Sequence, residues 1–229
     1  MMMNSIFSGH QPNFLPYMGF FYKVFKSDVF VLDDDVQYSR TEWHNSNYIK
    51  VNGSKHKITV PVTYDFGQKI NEVRINRDRD WQSKLLKTVQ MNYGKAPYFH
   101  EGYELLQKGI ESEYEYLSDM NIHFITEICN KFGFDTVLMI ASKDVPTTLK
   151  NNYRNAYQCL MVGADTYYSG IGGKEYNDEE LYNRNGIQIV YSDYEPVVYR
   201  QGRSQFIENL SVIDYIFHQG FRIPDTWRR

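Results

Sequence analysis

Apolar positions in this chain switch between the spacing of strands and that of helices. Ile6 and Phe7 form a short apolar run, and beyond Gly9-His10-Gln11-Pro12 the positions Met18, Phe21, Tyr22 and Phe25 recur as on one helix face. The unbroken run Val29-Phe30-Val31-Leu32 then ends in Asp33-Asp34-Asp35. This order predicts strand, loop, helix, strand and acidic loop. In a right-handed βαβ unit both parallel strands end at the same sheet edge, so the His10 loop and the aspartates are expected to face one crevice. Pro16 fits the first turn of the helix, where its missing N–H costs nothing. Such a helix would aim its free N–H groups at the His10 loop and suit a phosphate or carboxylate there.

Further along, Tyr48 to Val51 and Lys55 to Val62 flank Asn52-Gly53, a strong hairpin signal. Ile70 to Ile75 alternates and predicts another strand. Helical spacing follows over Trp81 to Tyr93, Tyr98 to Ile110 and Tyr116 to Phe132, the first and last closed by glycine. Thr136 to Ala141 lacks polar alternation, as expected of a strand buried on both faces inside a sheet. Asn151 to Val162 predicts a helix and Thr166 to Ser169 a strand; Asp178 to Asn183, Ile187 to Ser192 and Ser211 to His218 read as helix, strand and helix. The pattern predicts an α/β or α+β fold in one domain over 1–229, with a mixed, mostly parallel sheet flanked by helices and an antiparallel ribbon.

Composition narrows the function. With 229 residues, 42% hydrophobic, the chain is long enough for a real core. A net charge of −3 without like-charge blocks argues against nucleic acid as a partner. No apolar run is long enough to span a bilayer, the amino terminus lacks the layout of a signal peptide, and a cytoplasmic address is expected. Two cysteines, Cys129 and Cys159, make no disulfide framework or paired metal motif. The 20 tyrosines could line a sugar or base site, although an AT-rich genome enriches tyrosine without function.

His10 stands at a strand exit rather than on an apolar face, which favours a general base or an anion donor over core packing. Lys23 is two turns into the first helix, able to add a cation or simply be solvated. Side chains alternate along an extended chain, so at most two of Asp33 to Asp35 can face one ion, and Asp33 reads as a solvated loop residue. Trp43 sits at the centre of a polar segment that is either loop or site wall. Gly170-Ile171-Gly172-Gly173-Lys174 fails the phosphate-loop pattern, because Tyr168 replaces its first glycine and Glu175 follows the lysine; an anion contact at the turn and a plain turn are equally good readings. Cys159 is a nucleophile candidate only beside a basic partner, and its place within a helix favours a buried structural thiol. No HExxH, GxSxG or spaced Cys/His quartet is present.

The series His10-Gln-Pro-Asn-Phe-Leu-Pro-Tyr-Met-Gly-Phe, Lys23, Asp34-Asp-Val-Gln-Tyr-Ser, Trp43, Asn45, Asn47, Asn92-Tyr-Gly-Lys-Ala-Pro-Tyr, Gly163-Ala-Asp-Thr-Tyr-Tyr-Ser-Gly and Leu210-Ser-Val-Ile-Asp resembles the WbqC-like family over nearly the whole chain. The resemblance implies a bacterial cytoplasmic protein of O-antigen or other surface-polysaccharide biosynthesis. It would move an acyl or aminoacyl group onto a nucleotide-linked amino sugar, without a cofactor or metal. The implied partners are a sugar nucleotide or other small molecule and an acyl or aminoacyl carrier protein. The family motif points to His10, Asp34 and Cys159 as catalytic, and to Gln11, Lys23, Gln37, Trp43, Asn45, Asn47, Ser169 and Gly170 as substrate-binding. A His/Cys pair would suit transfer from a thioester through a covalent intermediate. Ser46 departs from the family, which often has arginine there. Two other readings are kept: a non-catalytic module binding a sugar nucleotide or carrier protein, and a metal-dependent nucleotidyl-transfer or nucleotide-hydrolysing enzyme. A carboxylate at Asp34 beside His10 would raise the histidine pKa.

Overall fold

A computed structural model describes residues 5–77, 80–202 and 204–228. The first four residues, which precede the first apolar run and read as a frayed lead-in to the first strand, lie outside them. The elements in order are β1 (Ile6–His10), α1 (Met18–Phe25), β2 (Val29–Leu32), β3 (Ser46–Val51), β4 (Ser54–Thr59), β5 (Val62–Thr63), β6 (Arg74–Ile75), α2 (Trp81–Tyr93), α3 (Phe99–Glu111), α4 (Leu117–Phe132), β7 (Val137–Ile140), α5 (Ala141–Asp144), α6 (Asn151–Met161), β8 (Thr166–Ser169), α7 (Glu179–Arg184), β9 (Gln188–Tyr191) and α8 (Val212–Gln219). Two 3₁₀ turns, Ile70–Glu72 and Ile171–Glu175, add to these.

A five-stranded parallel sheet, in the order β7-β2-β1-β8-β9, forms the centre. The chain builds β1, β2 and β7 to one side, then returns across β1 to add β8 and β9 on the other. Right-handed crossovers must change face when the direction of strand addition reverses. The core records that change, because alternate residues of each strand serve different clusters. Phe30, Leu32 and Tyr168 join α1 to α4 and α8 in the larger cluster. Phe7, Val31 and Tyr167 face Ala156, Cys159 and Tyr182 of α6 and α7 in the smaller one. No helix among the described residues is long and apolar enough to cross a membrane.

The expected hairpin is β3 and β4, paired antiparallel around Asn52 and Gly53, both at positive φ. The strand expected over Lys55 to Val62 stops at Thr59: Val60 gives its N–H to Asn45, and Pro61 has none to give. Ile70 to Ile75 is a 3₁₀ turn followed by a two-residue strand, since the Ile70 N–H turns back to the Val36 carbonyl. β7 is an edge strand rather than an interior one, with Val137 55% exposed; its apolar run reflects packing on one side. Pro16 precedes the α1 cap residue Tyr17, and its carbonyl accepts the N–H of Val212.

Candidate functional site

In an open parallel sheet, ligands collect beyond the carboxyl ends of the strands where strand order reverses. Here that point lies between β1 and β8. The two strands pair only at Ile6–Thr166 and Phe7–Tyr167, and the Ser8 hydroxyl then reaches the Tyr168 carbonyl at 2.6 Å. Past Phe7 the strands part, leaving His10 at the edge.

His10 and the loop after it form one wall of a cleft of about 440 Å³, lined also by Gln11, Asn13, Tyr17, Glu42, Trp43, Asn47 and Asn209. The two walls are laced together by hydrogen bonds to backbone carbonyls. Phe14 donates its N–H to the Trp43 carbonyl, and the Asn121 amide of α4 donates to both Pro12 and His44 carbonyls at 2.8 and 2.7 Å. Asn47 closes the floor, donating to the carbonyls of Phe14 and Leu15 at 3.2 and 2.7 Å. Leu15 has φ 43°, a left-handed conformation uncommon for a branched side chain and held here by bonds from Asn47 and the Ser211 hydroxyl to its carbonyl. The rings of Trp43 (45% exposed) and Tyr17 (40% exposed) line the cleft and remain open to a ligand.

The state of His10 follows from its partners. Nδ1 lies 3.0 Å from the Gln11 carbonyl, which can only accept, so Nδ1 carries the proton and Nε2 keeps its lone pair. Burial and then the Lys23 ammonium lower its pKa to about 4, against the weaker upward pull of the Gln11 carbonyl. The imidazole is therefore neutral at physiological pH. This corrects the expectation of a carboxylate raising its pKa: the charge that acts on His10 is Lys23, not Asp34. His44, buried nearby, is also lowered to about 4 by burial, and its Nδ1 accepts the Ser39 N–H.

Of the residues expected at the site, His10, Gln11, Trp43 and Asn47 meet in this cleft. The others stand elsewhere. Lys23 is buried and donates to the Gly9 carbonyl at 2.8 Å, which makes it a support of the His10 strand. Asn45 is bonded to the Val60 carbonyl, and Gln37 borders a separate hollow with Tyr38, Arg40 and Tyr64. Ser169 and Gly170 end β8 across the strand-order reversal, where the Ser169 hydroxyl accepts from Asn177 at 3.0 Å and the Gly170 carbonyl caps the 3₁₀ turn. Cys159 is fully buried in the smaller core, 3.5 Å from the Ala164 carbonyl, with its thiol pushed up to about 12 by burial. A thiol so placed has neither a basic partner nor a path to the cleft, so the expected His/Cys pair is not formed. The start of α1 is covered as well, because the ring of Tyr17 occupies the space that a Cβ on Gly19 would need.

The acidic run divides its work. Asp33 accepts from Arg154 Nε at 2.9 Å and from Gln158 at 2.8 Å, and Asp35 pairs with the same guanidinium. Asp33 is thus a buried ion-pair member rather than a solvated loop residue, its carboxyl raised by burial against the pull of Arg154. Gly9 allows this approach, since a Cβ there would lie 3.2 Å from the Asp33 carboxylate. Asp34 turns the other way and accepts from the Ser142 N–H at 2.9 Å, the Ser142 hydroxyl at 2.6 Å and Asn71 at 3.2 Å. It does not line the His10 cleft. Among the described residues no three His, Cys, Asp or Glu side chains are grouped to hold a metal ion.

Glu42, Tyr17, Asn13 and Asn209 line the cleft without having been singled out from the sequence. Glu42 and Asn13 adjoin Trp43 and the His10 loop. Asn209 comes from a loop nearly two hundred residues away, and no local pattern marks it.

Comparison with known proteins agrees with the residue-level resemblance. The profile of the WbqC-like protein family matches residues 11–225. The chain is also 31% identical over 222 residues, 95% of each chain, to the uncharacterized protein Rv1507c of Mycobacterium tuberculosis. The chain belongs to the WbqC-like protein family.

Proposed function

We propose that the His10 cleft transfers an acyl or aminoacyl group onto the amine of an amino sugar, with the sugar inside the cleft and its nucleotide beyond the open rim. The observation that carries this reading is the tautomer of His10: a neutral imidazole, protonated at Nδ1 and unprotonated at Nε2, in the wall of a cleft that two exposed aromatic rings also line. Trp43 and Tyr17 offer faces for the sugar ring, and Glu42, the one carboxylate among the described residues lining the cleft, suits an ammonium group.

The donor is a thioester, and with Cys159 enclosed in the core the transfer is direct. The ammonium first gives one proton to solvent; the neutral amine nitrogen then attacks the thioester carbonyl carbon, the N–C bond forms and the C–S bond breaks. The proton leaving nitrogen passes to His10 Nε2 and then to the departing sulfur, giving an amide and a thiol. The N–H⁺ of the tetrahedral adduct is far more acidic than a free ammonium, so a weakly basic imidazole can accept its proton.

Nucleotide-linked amino sugars incubated with acyl and aminoacyl thioesters should show a mass gain that His10→Ala abolishes. Trp43→Ala should raise KM more than it lowers kcat. A mass gain that survives His10→Ala would overturn the assignment. The second reading, a non-catalytic module, is favoured by the use of Lys23 and Asp34 as supports of the fold, and binding with no product across the panel would select it.

A further inference from the structure

A cavity of about 600 Å³, larger than the His10 cleft, lies elsewhere along the strand ends. It opens beside the carboxyl ends of β2 and β7; Asp35, Asn71, Ser142, Thr147, Thr148 and Tyr157 line it together with Lys69, Glu72 and Pro146. We propose that this cavity is a second binding site, for a neutral polyhydroxylated ligand of the carbohydrate class.

Its polar lining is fixed from behind. Asp34 accepts from Asn71 and from Ser142, and this leaves the Asn71 carbonyl oxygen free of that bond. Arg154 holds the Asp35 carboxylate, whose side chain is only 9% exposed. The Thr147 hydroxyl accepts the Leu149 N–H, so its own proton is left to give. A wall of acceptors and hydroxyls with locked orientations suits a ligand that both donates and accepts at several points. Tyr157 and Pro146 add apolar surface for the C–H face of a ring.

Charge selects against ions. The α5 amide at Ser142, the group to which an anion would turn, is already taken by the Asp34 carboxylate. Asp35 is neutralised by Arg154, and the remaining charges of the lining, Lys69 and Glu72, are one of each sign, so the cavity carries no net charge that would call for a cation or a phosphate. On this basis Asp34, expected as a catalytic partner of His10, is a positioning residue for the second cavity.

Saturation-transfer NMR on the full chain tests the proposal with glucose and N-acetylglucosamine as neutral probes and glucuronate as the anionic one. Transfer to the neutral sugars should persist in Trp43→Ala and weaken about tenfold in apparent affinity in Tyr157→Ala, roughly the loss of one ring contact. Thr148→Val, a change of one surface hydroxyl, should weaken it as well, with an unchanged amide spectrum showing that the fold is retained. Preference for glucuronate, absence of transfer from either neutral sugar, or loss in Trp43→Ala with retention in Tyr157→Ala would each overturn it. None of these readouts requires turnover, so failure of the acyl-transfer reading is separable from failure of this one.

Discussion

His10 shows how far a side chain's chemistry depends on what lies behind it. Burial is the largest cause of its lowered pKa and Lys23 the second, so Lys23→Met should recover only part of the shift. In an NMR titration the wild-type His10 ring should keep its neutral chemical shift down to near pH 4, and the Lys23→Met ring should protonate at higher pH. A histidine lowered in the folded state protonates first in the unfolded chain. Stability linked to His10 and His44 is therefore full above the unfolded value near 6.5 and is lost as pH falls through about 4. Denaturant midpoints measured from pH 7 to pH 4 should fall along that curve, and a flat profile would contradict the burial of both rings. Arg154 is the other residue on which much rests. Removing it in Arg154→Met leaves Asp33 and Asp35 buried without their cation, a change that costs about 3–5 kcal/mol in such pairs. Thermal unfolding should report it as a large drop in Tm.

At the level of elements, regular spacing was legible and position in the sheet was not. The βαβ opening, the Asn52-Gly53 hairpin and the helices ending at Gly94 and Gly133 stand close to where periodicity and turn chemistry put them. β7 was misplaced because an apolar run tells only that a strand is covered, not whether it has a neighbour on both edges. For the site, position at a strand exit marked His10 and a polar segment marked Trp43, while Gln11 and Asn47 came from the family resemblance; the four line one cleft, but neither route could show that Asp34 faces Ser142 rather than His10, since side-chain direction after a strand depends on the tertiary partner. The junction of α2, β3 and α8 was equally hidden. Tyr93 of α2 donates to Asp214 of α8 at 2.6 Å and accepts the Lys50 N–H of β3 at 2.7 Å, while Tyr199 donates to the other Asp214 oxygen. Tyr93→Phe takes this partner from one oxygen of the buried Asp214 carboxylate and from the Lys50 backbone N–H together, and should cost on the order of 1–3 kcal/mol in chemical denaturation with little effect on ligand binding at the His10 cleft.

For the whole molecule, the central position of β1 governs the order in which the chain can be completed. β1 is made first, and β2 follows within some twenty residues to cover one edge. Its other edge waits for β8, whose Tyr168 carbonyl receives the Ser8 hydroxyl across 160 residues of chain. Until then the middle of the future sheet presents an unpaired edge, and pairing so distant in sequence is slow to form. During synthesis the nascent chain is thus most exposed to mispairing between the completion of β2 and the emergence of residues 166–169, the interval in which chaperone contact has most to protect.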